Sequence, residues 1–125
     1  MMSQLLIIIA ALYGAVAVAL GAFAAHGLKS RLSEQLLTVF QTGVTYQIYH
    51  TLALLLAGLW LRFAPSPWVA AAGIFWALGV VLFSGSLYAL ALTSIKWFGP
   101  ITPLGGLCLM IGWLLLVYSS YKNKV

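Results

Sequence analysis

The chain has 125 residues, of which 64% are hydrophobic and 6% charged, with a formal net charge of +5. A soluble domain carries about a quarter charged residues, so a water-exposed exterior is excluded. The basic excess does not signal a nucleic-acid partner either, because the basic residues sit at the ends of apolar runs, where they anchor and orient helices in a bilayer.

Lys29, Arg31 and Glu34, then Arg62, then Lys96, then Lys122 and Lys124 divide the chain into uncharged runs at 1–28, 35–61, 63–95 and 97–121. Each run exceeds the ~20 residues that carry a helix across a hydrocarbon core of about 30 Å. None alternates with the period of a barrel strand, and only helices or closed barrels satisfy their backbone in lipid. The sequence therefore predicts an all-α integral membrane protein: four transmembrane helices in an antiparallel bundle, forming one domain, with an amphipathic interfacial helix between the first and second.

The first span is expected at residues 5–25. Its apolar stretch is longer than a secretory signal core and no basic residue precedes it, which favours a retained helix. Ala10, Gly14, Ala17, Gly21 and Ala25 recur at helical spacing and mark a face for close helix contact. Residues 28–43 then place Leu28, Leu32, Leu36, Val39 and Phe40 on one stripe opposite polar side chains, the pattern of a helix lying in the interface.

The second span is expected at 44–61 and the third at 68–92, joined by a tight turn in which Ser66 caps and Pro67 opens the following helix. Trp60 and Trp68 flank that turn at headgroup level. Thr102-Pro103 repeats the device and starts the fourth span, 103–121, which ends in a basic tail. Basic residues tie between the two sides, with Arg62, Lys122 and Lys124 against Lys29, Arg31 and Lys96, so they set no orientation.

The antiparallel arrangement gathers polar residues toward one membrane face: His26, Tyr46, Gln47, His50, Ser84 and Ser86, with interfacial charge from Lys29, Arg31, Glu34 and Lys96. An intramembrane His points to a ligand or proton role by default. A His bonded to Ser84, Ser86 or a backbone carbonyl would instead join two helices. Two His, one Glu and the single Cys108 offer no metal-ligand spacing, and one carboxylate rules out a paired-acid mechanism. No cofactor, no metal and no enzymatic activity are expected.

Gly21-Ala22-Phe23-Ala24-Ala25-His26-Gly27-Leu28 resembles the signature of a family of small membrane proteins of unknown function, which includes bacterial YgdD and YwdK and eukaryotic transmembrane protein 256. Further blocks agree in order: Phe40-x-Thr42-Gly43-x-x-Tyr46-Gln47-x-x-His50, Phe83-Ser84-Gly85-Ser86-Leu87-Tyr88, and Gly99 to Gly106 with Gly112-Trp113. The resemblance implies a multi-pass protein of the plasma (bacterial inner) membrane, or of the mitochondrial inner membrane in a eukaryote, and carries no activity with it.

The leading expectation is a non-enzymatic accessory, assembly or oligomeric component that contacts membrane lipids and packs against itself or a larger complex, motivated by the small-residue faces of spans one and four. The alternative is a membrane-embedded ligand, lipid or proton site lined by the His26/His50 cluster.

Overall fold

The computed structural model describes residues 1–122, so Lys124 of the expected basic tail lies outside the described residues. Four long helices follow one another: α1 (Met2–Phe23), α2 (Glu34–Phe63), α3 (Pro67–Thr93) and α4 (Ile101–Lys122). All four are long and apolar enough to cross a membrane.

The start of α2 corrects the sequence reading. No separate interfacial helix occupies 28–43. Instead α1 runs without interruption into a π turn, Ala24–Leu28, the chain reverses over Lys29 to Ser33, and α2 begins at Glu34. Ser33 Oγ accepts from the Leu36 N–H at 3.2 Å and caps the helix. Between Glu34 and Phe63 there is no proline, and Gly43 is accommodated within the helix, so the polar first turns and the apolar span form one continuous rod. At 1.5 Å per residue its 30 residues reach about 45 Å, so α2 projects beyond the hydrocarbon core. Its polar residues Thr38, Thr42 and Thr45 return their hydroxyls to the carbonyls four residues earlier.

The α2–α3 turn follows the sequence reading, with Ser66 Oγ accepting from the Val69 N–H and Pro67 first in the helix. Thr102 does not repeat it. The fourth helix already starts at Ile101, and the Thr102 hydroxyl turns sideways to Ser86 of α3 at 2.6 Å. A side-chain partner on the neighbouring helix replaces the cap.

α2 and α3 are the inner pair. α1 lies along α2, α4 lies along α3, and α1 meets α3 only lightly. Leu6, Ala10, Leu54, Val69, Trp76 and Leu109 belong to the main core, while Ala24, Leu28, Phe40, Val44 and Ala91 form a second cluster where the π turn meets the ends of α2 and α3. The expected small-residue face of α1 is real but is used inside the chain: Ala10 and Ala17 are buried, and Gly14 and Gly21 face Thr51 and Val44 of α2. Ala25 is the exception and is exposed.

The α3–α4 seam depends on absent side chains. A Cβ at Gly105 would lie 2.2 Å from the Phe83 backbone nitrogen, and one at Gly112 would lie 2.4 Å from the Trp76 indole nitrogen. Such close approach is how membrane helices gain packing when lipid provides no hydrophobic drive between them. Gly105→Leu is therefore expected to cost about 1–3 kcal/mol or to prevent folding. Gly85→Ala, whose Cβ meets nothing within 4 Å, should leave the unfolding midpoint of the detergent-solubilised protein unchanged by circular dichroism.

Candidate functional site

Of the polar residues expected to form one cluster, Gln47, His50, Ser84 and Ser86 are divided among several inter-helix locks. Gln47, 3% exposed, is fixed by two partners: its Nε2 donates to the Tyr13 carbonyl of α1 at 2.8 Å, and its Oε1 accepts from the Tyr88 hydroxyl of α3 at 2.6 Å. A backbone carbonyl only accepts, so the amide orientation is determined. Tyr13 in turn donates its hydroxyl to the Ala77 carbonyl, closing a network over α1, α2 and α3.

Ser84 donates to the Gly43 carbonyl at 2.7 Å, at a point where a Cβ on residue 43 would collide with the Tyr88 ring. Ser86 donates to the Phe83 carbonyl and shares a hydrogen bond with Thr102. Neither serine meets His50, so of the partners considered for its ring, Ser84, Ser86 or a backbone carbonyl, only a carbonyl is found, that of Tyr46 on its own helix. The reason is geometric: α2 is an inner helix with neighbours on several sides, so residues adjacent on its surface face different partners.

His50, 5% exposed, lies near the middle of α2 rather than close to a membrane face. Its Nδ1 is 2.8 Å from the Tyr46 carbonyl, and its Nε2 is 3.0 Å from Trp113 Nε1 of α4. The carbonyl can only accept and the indole N–H can only donate, so Nδ1 carries the proton and Nε2 accepts. The imidazole is neutral and both nitrogens are engaged. Three rings from three helices meet here, with Trp76 and Trp113 4.7 Å apart and His50 5.8 Å from Trp113. Trp76 donates to the Leu109 carbonyl.

Beside this cluster a groove of about 490 Å³ opens between α2 and α4 over α3. Tyr46 and His50 form one wall, Phe83 the floor, and Pro103, Gly106 and Met110 the other wall, with Trp113 at its inner end. The Tyr46 ring is half-exposed, lies parallel to His50 within 11° and sits 4.8 Å from Phe83. On the far side of Trp113 a smaller cavity of about 60 Å³ continues toward Trp60.

The interfacial residues gather at one end. Lys29 and Arg31 occupy the exposed reversal after the π turn, Glu34 opens α2 against the positive end of its dipole, and Lys96 lies in a short 3-10 turn, Lys96–Phe98, before α4. His26 is exposed on the π turn and does not line the groove, so the expected His26/His50 site is not assembled. A Cβ at Gly27 would lie 2.7 Å from the exposed Phe23 ring, which would have to shift to admit it.

Tyr13, Trp76, Tyr88, Thr102 and Trp113 were not among the expected site residues. For the two tryptophans a signal was present: indoles prefer the interface, and a Trp far from both ends of a span needs an interior partner for its N–H. A Tyr in mid-span carries the same information. No sequence signal pairs Thr102 with Ser86.

Apolar helices of spanning length, joined across their interior by side-chain hydrogen bonds, define a multi-pass membrane protein. Residues 20–106 match the model of a family described as "Protein of unknown function (DUF423)", and the chain belongs to that family. It is 47% identical over 119 residues to a UPF0382 membrane protein of Staphylococcus haemolyticus, covering 95% of this chain and 97% of that one. It is 42% identical to the UPF0382 membrane protein YwdK of Bacillus subtilis over 120 residues, covering 95% and 98%. It is 40% identical to the UPF0382 inner membrane protein YgdD of Escherichia coli over 124 residues, covering 99% and 95%. No solved structure matches the chain.

The His50 lock is directly observable. Nitrogen NMR of selectively labelled protein should show His50 as the Nδ1–H tautomer with a hydrogen-bonded Nε2, and Trp113→Phe should shift the Nε2 resonance while leaving Nδ1 protonated. Gln47→Leu, which removes two inter-helix bonds, should destabilise by roughly 1–3 kcal/mol, taking ~0.6 to ~1.7 for each bond.

Proposed function

We propose that this chain is a non-catalytic membrane component that holds an apolar chain from one leaflet in the groove between α2 and α4. The depth of the groove carries the reading. Its wide part, above the His50–Trp113 bond, runs along α4 from Pro103 to Trp113, ten residues or about 15 Å of helix, which is half of a hydrocarbon core of about 30 Å. A partner transmembrane helix would need a groove of full depth, whereas a lipid tail needs one leaflet. The lining of ring faces and small residues, with both His50 nitrogens already engaged, suits an apolar occupant.

Gly106 offers the test. A Cβ there would meet only the Phe83 ring, at 3.6 Å, so a larger side chain extends into the groove rather than into a helix seam. Native mass spectrometry of the solubilised protein should find a lipid retained through detergent exchange by the wild type and lost by Gly106→Phe. Retention by both would rule out this groove as the site.

An assembly role is a second reading, supported by a different face. Ala11, Ala15 and Ala19 form an exposed small-residue row on the outside of α1, distinct from the buried row that packs on α2. A lone monomer on a blue-native gel of membranes at native expression would count against it.

A further inference from the structure

We infer that the occupant of the α2–α4 groove is an anionic glycerophospholipid whose phosphate sits at Lys96, an inference that rests on the groove reading above. Three observations locate the headgroup. First, α4 has 22 residues, about 33 Å, so its length matches the hydrocarbon core and places Ile101 near one interface and Lys122 near the other. At the far end Lys122 lies 5.4 Å from the centre of the Trp68 ring, beside Tyr118, a pairing suited to an interface. The groove therefore starts just below the headgroup level of the opposite face and ends at mid-depth, at Trp113.

Second, the residue that leads into this end of α4 is basic. Lys96 is exposed in the turn that precedes the helix, and its neighbour Trp97 is 84% exposed, as expected of a headgroup-level anchor. The amino end of α4 adds its partial positive charge on the same side. Third, charge at this end is unbalanced: Lys29, Arg31 and Lys96 face one carboxylate, Glu34, which stands at the start of α2. A lipid whose tail fills the groove from Pro103 downward has its phosphate at the level of Lys96, and a headgroup without compensating cation gains most there. A zwitterionic lipid fills the same groove without that gain, so headgroup charge becomes a preference on top of tail binding.

The experiment titrates the full-length solubilised protein with phosphatidylglycerol and phosphatidylcholine carrying identical acyl chains, read by native mass spectrometry. One Lys near an anionic surface contributes about 1 kcal/mol, which is about a fivefold preference. The wild type should favour phosphatidylglycerol by about that factor. Lys96→Gln should remove the preference while leaving phosphatidylcholine binding unchanged, and the Lys29→Gln/Arg31→Gln pair should keep it. Gly106→Phe should lose both lipids; Met110→Trp, at an exposed groove position, replaces it if that variant fails to fold. Equal binding of the two lipids by the wild type, or a preference that survives Lys96→Gln and disappears with Lys29→Gln/Arg31→Gln, overturns the headgroup assignment while the groove reading stands. Unchanged binding of both lipids by the groove-filling variants overturns the groove reading and this inference with it.

Discussion

Hydrocarbon offers no hydrogen bonds, and a polar side chain inside a span finds its partner on another helix or leaves a group unsatisfied. In this chain that constraint fixes how the helices are tied. Gln47 joins α2 to α1 and α3, Ser84 joins α3 to the α2 backbone, Ser86 meets Thr102 of α4, and His50 meets Trp113. Among the described residues only Thr51 Oγ1 is a buried side-chain polar atom without a partner. The locks cross at different depths, so they set relative rotation and vertical register together, which apolar packing alone specifies weakly.

Glycine complements these locks. The hydrogen bond between Trp76 and the Leu109 carbonyl requires α4 to come close to the indole, and Gly112 leaves the space for it. Gly105 lets the α4 backbone reach that of Phe83, which brings Thr102 beside Ser86. Polar contact and backbone approach are thus one arrangement seen from two sides. The same arrangement leaves the outer helices apart: α4 follows α3, and across the α2–α4 groove the His50–Trp113 bond acts as a strut. A second recess of about 260 Å³, between α1 and α3, has Gln47 and Tyr88 in its lining.

The blocks that carry the family resemblance map onto these contacts. Gly43, Gln47, His50, Ser84, Ser86, Tyr88, Gly105, Gly112 and Trp113 all take part in a lock or a close approach. His26 differs, since it stands exposed on a π turn whose inner side is closed by Ala24 and Leu28. Much of the motif is accounted for by helix packing, whereas His26 and its basic neighbours Lys29 and Arg31 are exposed.

The number of spans and the Ser66-Pro67 turn were legible in the sequence, because the absence of charge over more than twenty residues and a cap followed by proline are local, one-dimensional signals. The small-residue face of α1 was legible for the same reason, although its partner turned out to be α2 of the same chain. Residues 28–43 misled because amphipathic periodicity describes a helix without saying whether it continues into the next, and here no breaker separates them. The partners of His50, Ser84 and Ser86 could not be read at all. They depend on the rotation of each helix about its axis and on the vertical offset between helices, quantities that only the simultaneous packing of four rods decides.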